Sequence, residues 1–384
     1  MLKPNTPVLN VLGVVCLCTM SALSSSALAQ VADNSEPVTL PTVVVSVPRP
    51  TPSADVAGYG DTPLARLPAA VTVINESALA ASGARRLADV MKQDSAVSDA
   101  YNVVGYWDFA TVRGFVLNNS YNYRRDGLPI SAETFIALDN KSQVDVFKGT
   151  SGVQSGVAAP GGMMNYAVKR PPVREPIAAA RLETTSTGAA LAALDLGARF
   201  GIDKAFGYRL NLAGERLRDA APGTRGERTL AALALDWRAT PDSVFAVEVE
   251  QSRRSQPTVP ALSLLGNTLS APDPRLNVNT QAWSAPVQLA GLTGSVKFEQ
   301  ALSDTWRWSA HANRQALASN DRVAYGYGCS AGQTPVYDRY CANGDIDLYD
   351  YRSDGERRAQ SGAALTLRGT PSWGGVAHQF VAVL

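Results

Sequence analysis

Few residues of this 384-residue chain have the types and spacing that covalent or metal chemistry requires. The two histidines, His311 and His378, lie far apart in the sequence, and no G-x-S-x-G or comparable nucleophile arrangement is present. Neither histidine is close to Cys329 or Cys341, the two cysteines in the C-terminal part of the chain, as a zinc site would require. The sequence therefore predicts neither an enzyme nor a metal centre.

The N-terminus has the pattern of an export signal. Lys3 supplies the positive end, residues 8–23 are mostly apolar, and Ala27-Leu28-Ala29 precedes Gln30 as a small-x-small cleavage site. A membrane anchor is the alternative, but the apolar run is shorter than the ~18 to 20 residues of a spanning helix. We predict a signal peptide over residues 1–29, which removes Cys16 and Cys18 from the mature chain.

Cys329 and Cys341 are the cysteines left in the mature chain, and eleven residues separate them. In an exported protein this spacing favours a disulfide that closes a short loop, with a stabilisation of ~3 kcal/mol in the chain-entropy model. Two free thiols are the alternative, and export disfavours them.

The charge balance excludes one class of partner. The chain has 35 basic and 34 acidic residues, a net charge of +1, and no basic run interleaved with aromatic residues. We therefore expect no nucleic-acid binding.

Three regions follow the signal peptide. Residues 30–65 are rich in Pro, Ser, Thr and Ala, and contain one β-prone segment, "PTVVVSVP", at 41–48. Prolines isolate this segment from other strands, so we predict that it is flexible until the edge of a partner's sheet accepts it. An ordinary linker is the alternative.

Residues 66–172 combine short glycine-broken strands with a helix that carries Leu87, Val90 and Met91, which predicts a small α/β unit.

Residues 173–384 alternate apolar and polar side chains in segments of about ten residues. In "YRLNLAGERLR", Leu210 and Leu212 lie on one face while Arg209, Asn211 and Glu215 lie on the other. A face with charged residues in strand after strand cannot be a dry core. Short turns also alternate with longer connections near 218–227, 255–288 and 318–357, which favours a membrane β-barrel over a soluble β-sandwich.

Several segments, in order along the chain, together resemble the TonB-dependent outer-membrane receptors, and most closely their ferric-siderophore branch. They are "PTVVVSVP", "LPAAVTVINESALAASGARRLADVMKQ", "TVRGF", "NYRRDGLP" and "QVDVFKGTSGVQSGVAAPGGMMNYAVKRP". The resemblance implies an α+β plug domain at 66–172 and an antiparallel membrane β-barrel from 173 onward. It also implies a location in the outer membrane of a Gram-negative bacterium, in contact with its lipid.

The expected barrel is larger than the strands counted. We count about nine strands after residue 176, whereas large plugged transporters have ~22. We therefore expect a receptor truncated at its C-terminus, by a premature stop, a partial gene model or fragmentation. Open sheet edges are unfavourable in lipid, so we expect that such a chain alone neither closes nor transports.

The resemblance also implies roles for individual residues. Pro41, Thr42, Val43, Val44 and Val45 add as a strand to the periplasmic protein TonB, whose energy comes from the inner-membrane proteins ExbB and ExbD. Arg113 and Lys148 face acidic barrel residues as a lock between plug and barrel.

The expected cargo is a ferric siderophore, and no resident cofactor or metal is expected because the siderophore itself coordinates the iron. The aromatic residues expected at its binding site are Tyr101, Tyr106, Trp107 and Phe135. A receptor for haem or cobalamin is the alternative within the family. A passive porin is the alternative outside it, but a porin would lack both the valine segment and the plug segments.

Overall fold

The computed structural model describes residues 63–100, 103–149, 160–262, 270–331, 335–337 and 339–384. All of them belong to one structural unit, Pro50–Leu384. The signal peptide, the valine segment and Tyr101 lie outside the described residues, so these three assignments stay predictions.

The first part of the described chain, residues 63–172, is called the plug below. Its helices are a short 3-10 helix, Leu64–Arg66, then α1, Glu76–Ala81, and α2, Leu87–Met91. Its strands are β1 Ala70–Asn75, β2 Val97–Asp99, β3 Ala110–Val112, β4 Phe115–Val116, β5 Tyr123–Arg125, β6 Leu128–Pro129, β7 Lys141–Lys148 and β8 Gly162–Val168. Among the described residues, no helix is long and apolar enough to cross a membrane.

Local sequence accounts for the helices. The side chain of Asn75 caps α1 by accepting a hydrogen bond from the backbone N–H of Ala78 at 2.9 Å. Leu87, Val90 and Met91 of α2 are buried at the predicted helical spacing. They pack into the core that lies against the plug sheet.

The plug sheet has the strand order β1-β7-β8-β5-β6. The β5–β8 pair is parallel and the other pairs are antiparallel. Gly162 permits the close pairing of β7 with β8, because a Cβ at its φ of +141° would lie 1.9 Å from the carbonyl oxygen of Phe147. A separate three-stranded sheet, β2-β3-β4, completes the plug.

The second part of the described chain is a nine-stranded antiparallel sheet, called the wall below. Its strands are β9 Ile177–Thr184, β10 Ala190–Phe200, β11 Phe206–Leu217, β12 Gly226–Thr240, β13 Ser243–Gln256, β14 Ala285–Ala301, β15 Trp306–Gly326, β16 Leu348–Gly369 and β19 Phe380–Val383. A two-stranded hairpin, β17 Ser372–Trp373 with β18 Val376–Ala377, lies in the connection before β19. Each wall strand from β9 to β16 pairs with the next in sequence, and β16 pairs with β19.

The two faces of the wall differ as the alternation predicts. Arg209, Asn211 and Glu215 of β11 are buried on the face towards the plug, while Leu212 is exposed on the other face. Near the short turns, the outer face carries a row of aromatic side chains in which Phe200, Phe206 and Trp237 follow one another at ring-centroid distances of 5.7 and 6.0 Å. Such an aromatic row is typical of the lipid–water boundary of a membrane barrel.

Most connections between wall strands are short at one edge and longer at the other; the exceptions are 370–379 at the first edge and 185–189 at the second. The turns at 201–205, 241–242 and 302–305 lie at the short edge, and the connections 218–225, 257–284 and 327–347 lie at the other, called the long-loop edge below. The predicted connection at 318–357 is wrong in extent. β15 and β16 continue through Arg322 and Arg352, where polar side chains on both faces remove the alternation that marks a membrane strand.

The connection 327–347 is joined internally by a disulfide. Cys329 and Cys341 are bonded, with their Cα atoms 5.1 Å apart. Cys329 also pairs with Val336 through reciprocal backbone hydrogen bonds of 2.6 and 2.9 Å. The bridge therefore lies within the loop that joins β15 to β16, the two longest strands of the described wall.

A charge placed on the outer face tests the orientation of the wall. Leu212→Arg puts a guanidinium into the apolar band, and we expect a loss of about 2–4 kcal/mol in the free energy of unfolding. The measurement is urea unfolding of the protein, produced from its complete reading frame and reconstituted in lipid bilayers. Arg216→Gln, on the same face near the long-loop edge, is the control and should change the value by about 0.5 kcal/mol or less. Equal effects would contradict this orientation.

Candidate functional site

A cluster of buried charges joins the plug to the wall, and we call it the charge anchor. Arg125, at the end of β5, donates from both terminal nitrogens to Glu248 of β13 and reaches Oε2 of Glu250 at 2.7 Å. The same Glu250 oxygen accepts from Nζ of Lys141 and from Nδ2 of Asn140, each at 2.7 Å. The exposed fractions of the four charged side chains lie between 1% and 9%.

The charge anchor is balanced in charge and largely satisfied in hydrogen bonding. Two cations meet two carboxylates, and the neutral amide of Asn140 supplies a further donor. Burying such groups costs several kcal/mol per ion, which mutual pairing has to offset. Removing one member leaves an uncompensated charge, so the anchor requires all of its members.

A second network alternates between plug and wall. Arg228 of β12 donates to Asp139 of the plug at 2.7 Å and to Glu215 of β11 at 2.5 Å. Glu215 also accepts from Arg85 of the plug at 2.5 Å, and Arg85 reaches Glu183 of β9 at 2.8 Å. The network therefore extends the ionic contact across strands β9 to β12.

The carboxyl groups of Asp139 and Asp126 are both held in the ionised form. Burial by itself would raise the pKa of Asp139, but the Arg228 guanidinium outweighs it and holds the pKa below its ordinary value. Burial likewise opposes ionisation of Asp126, and Arg170, with a contribution from Arg125, lowers its pKa below the ordinary value. These plug carboxylates are therefore charged wherever the protein is near neutral pH.

Hydrogen bonds join the plug to β15 as well. Ser131 donates its backbone N–H to the side chain of Gln315 at 2.8 Å, and Gln315 donates back to the carbonyl of Ser131 at 3.2 Å. Asn313 donates to the carbonyl of Pro129 at 3.2 Å. The wall thus contacts the plug through polar side chains on several strands, which agrees with the predicted polar inner face.

The described aromatic candidates lie at the interface between plug and wall. The rings of Tyr106 and Trp107 are in contact, tilted by 33° with centroids 3.9 Å apart, and the Tyr106 hydroxyl donates to Asp321 of β15 at 3.2 Å. Phe135 is buried, and the guanidinium groups of Arg228 and Arg254 lie 5.4 and 5.2 Å from its ring centroid. The structure therefore brings these three predicted residues to one side of the plug.

Arg113 and Lys148 are placed differently from the predicted lock. Lys148 pairs with Asp94 inside the plug at 2.7 Å. Arg113 is an exposed turn residue with a φ of 51°. Among the described residues, ionic contacts between the plug and the wall are made instead by other side chains, which include Arg125, Lys141, Arg85, Asp139 and Lys169. Lys148 ends β7 and Arg113 lies in the β3–β4 turn, and neither forms an ion pair with a wall residue that the structure describes.

A cavity of 790 Å³ lies between the plug and the wall. Arg85 and Arg86 line it from the plug together with Phe135, and Arg228 and Arg254 line it from the wall. Its lining includes Thr185, Thr187, Leu217, Arg218 and Asp219, which lie at the long-loop edge or in its connections. A concave space of this size with convergent polar groups is the usual form of a ligand site.

Comparison with known proteins supports this arrangement. Residues 63–163 match the model of the TonB-dependent Receptor Plug Domain. The ferrichrome outer membrane transporter/phage receptor of Escherichia coli K12 is 22% identical over 359 residues, which are 86% of this chain and 47% of that protein. The ferrichrome receptor FcuA of Yersinia enterocolitica is 27% identical over 172 residues, 40% of this chain and 21% of that protein.

Residues 63–163 belong to the TonB-dependent receptor plug-domain family, and the chain as a whole is similar to TonB-dependent receptors. The solved structure of the ferric-catecholate import receptor Fiu from Escherichia coli K12, in its closed form, has the same fold. The two structures superpose with a TM-score of 0.70 and are 20% identical in sequence; the match covers 86% of this chain and 48% of that chain. The predicted fold, a plug followed by strands of an outer-membrane barrel, is confirmed, and so is the location in the outer membrane. The receptor chain spans about half the length of the first curated relative, 47%.

Removing one partner tests the charge anchor. Arg125→Met leaves Glu248 and Glu250 buried with less compensation, and we expect a loss of about 3–5 kcal/mol in plug stability. The measurement is the urea midpoint at which the plug loses protease resistance in the membrane. The control is Lys92→Met, which breaks the ion pair between Lys92 and Asp89. Because the Lys92 side chain is 76% exposed, this change should cost about 1 kcal/mol or less. A small effect of Arg125→Met would show that the anchor does not hold the plug.

Acid should loosen the plug within a defined range. The pKa of Asp139 and that of Asp126 are lower in the folded protein than in the unfolded one, where Asp has a pKa of about 3.9. Their stabilisation is therefore complete above about pH 4 and is lost as pH falls further. We expect the same urea midpoint to fall as the pH drops below about 4.

The variant Asp139→Asn identifies the group responsible. It should lower the midpoint at neutral pH and reduce the steepness of the fall below about pH 4. Asp203→Asn, in an exposed short turn, should leave both unchanged. An Asp139→Asn profile parallel to that of the unaltered receptor would contradict this assignment.

Proposed function

We propose that the receptor takes up ferric siderophore complexes across the outer membrane, with energy from TonB and, through it, from ExbB and ExbD. The family assignment and the relatives named as ferrichrome and ferric-catecholate receptors support this function. The transported complex is the cargo, and the receptor itself has no proposed resident metal.

The charge anchor and the second ionic network together are the observation that carries the proposal. The plug contacts the wall through buried ion pairs at Glu248, Glu250, Glu215 and Asp139. Separating a buried ion pair costs several kcal/mol. A plug held by several such pairs therefore separates from the wall too rarely by thermal motion alone to support transport. Opening a path past it requires work, and TonB is the proposed source of that work.

Ligand capture is proposed at the cavity near the long-loop edge. Phe135 is part of the cavity lining and would contact the chelate, as its predicted role requires. Tyr106 and Trp107 pack beside it and would hold the plug loop against β15 and β16. Gly105 allows that loop to approach the connection 257–284, because a Cβ there would lie 2.5 Å from the carbonyl oxygen of Pro257. Tyr101 keeps its predicted role as a further contact.

Energy coupling is proposed for Pro41, Thr42, Val43, Val44 and Val45. Strand addition uses the backbone hydrogen bonds of this segment, so a residue without an N–H weakens it. Val44→Pro in the receptor, expressed from its complete reading frame in a deletion strain, should abolish growth on a ferric siderophore as sole iron source while surface binding of the iron-55 complex persists.

Controls separate coupling from folding. Val44→Ile keeps the N–H and the β-branched side chain, so growth should match that of the unaltered receptor. Growth of the Val44→Pro strain on a ferric siderophore as sole iron source would contradict the proposed coupling role of residues 41–45. Equal growth of the deletion strain and the complemented strain on every siderophore tested would overturn the proposed function.

A further inference from the structure

Arg254 of β13 is a buried cation without a carboxylate partner among the described residues. Its residue is 7% exposed, and it donates to the side chain of Gln256 at 2.6 Å and to the carbonyl of Tyr106 at 3.4 Å. Both acceptors are neutral. Within the described ranges, its Nε has no hydrogen-bond partner.

The carboxylates around Arg254 are engaged by other cations. Asp108 pairs with Arg86, and Asp139 pairs with Arg228 and Arg181. Glu215 accepts from both Arg228 and Arg85. The positive charge of Arg254 is therefore left without local neutralisation.

An uncompensated buried charge is costly, and the buried cations Arg125, Lys141 and Arg228 of this interface are paired with carboxylates. Arg254 lines the 790 Å³ cavity, so a ligand inside the cavity can reach it. Its guanidinium lies over one side of the Phe135 ring, at 5.2 Å from the centroid, which fixes the position of its planar fork. A planar guanidinium held in this way is suited to two oxygen atoms of an anion.

The other charges that line the cavity do not replace this role. Glu183 is paired with Arg85, and Asp89 with Lys92. Asp99, Arg218 and Asp219 are exposed. Among the described residues, the buried part of the cavity therefore presents one cation that has no carboxylate partner, and that cation is Arg254.

We propose that the cavity selects ferric chelates of net negative charge, and that Arg254 is the residue that pairs with an anionic carboxylate or catecholate oxygen of the chelate. The inference rests on the proposed function and narrows its substrate class. Binding neutralises a charge that the empty receptor leaves buried and unpaired, so a neutral chelate of similar size gains less from the same cavity.

The test compares two chelates on the detergent-purified receptor, produced from its complete reading frame. The probes are a ferric tris-catecholate, which is anionic, and a ferric tris-hydroxamate, which is neutral. We expect the unaltered receptor to bind the anionic chelate more tightly. Arg254→Gln should weaken that binding by about tenfold or more and leave binding of the neutral chelate within about twofold.

Matched variants separate charge from structure. Arg253→Gln alters the next residue of β13, which is exposed on the outer face, and should leave both affinities unchanged. Arg254→Lys keeps the positive charge and should retain the preference for the anionic chelate if Arg254→Gln does not fold. Folding is checked by the heat-dependent electrophoretic mobility of the barrel.

Three other binding results would each contradict either the charge selection or the proposed function. If the unaltered receptor binds the neutral chelate as tightly as the anionic one, the charge selection is wrong while siderophore uptake stands. An equal loss for both chelates in Arg254→Gln would show a positioning role for Arg254 and would likewise overturn the inference. If the unaltered receptor binds no ferric chelate, the proposed function falls and the inference falls with it.

Discussion

Glu250 receives hydrogen bonds from three plug side chains at one buried carboxylate oxygen. Because Arg125 ends β5 while Asn140 and Lys141 lie at the start of β7, this oxygen holds two separate elements of the plug at one point on β13. An apolar interface of the same area would allow sliding, since dispersion and hydrophobic contacts are not directional. The polar inner face of the wall is thus a positioning device, and the uniform inward direction of its polar side chains follows from that requirement.

The positioning has an energetic consequence for the fold. The wall buries charges on one face and exposes apolar side chains such as Leu212 and Trp237 on the other, which reverses the usual distribution in a globular protein. Lipid stabilises the outer face and the plug stabilises the inner one. Each part of the receptor therefore depends on a partner on the other side of a single layer of strands.

Much of this architecture follows from the sequence. Alternation predicts which β11 and β13 residues face inward, and with them Glu248 and Glu250, because a strand period of two is a local property. The pairing of Glu248 with Arg125 joins residues 123 positions apart, which no local pattern encodes. For the same reason the predicted lock at Arg113 and Lys148 differs from the observed anchor. The extension of β15 and β16 was also missed, because strands outside the lipid need no apolar face.

That extension changes what the receptor presents to the surroundings of the cell. The β15–β16 ladder continues from Asp321 opposite Ser353 to Gly326 opposite Leu348, and the disulfide between Cys329 and Cys341 closes the end. Residues held by a strand ladder and a cross-link have little conformational freedom left to lose on contact with another molecule. The described residues at this end of β15 and β16 are therefore ordered before any such contact, so binding to them costs little conformational entropy.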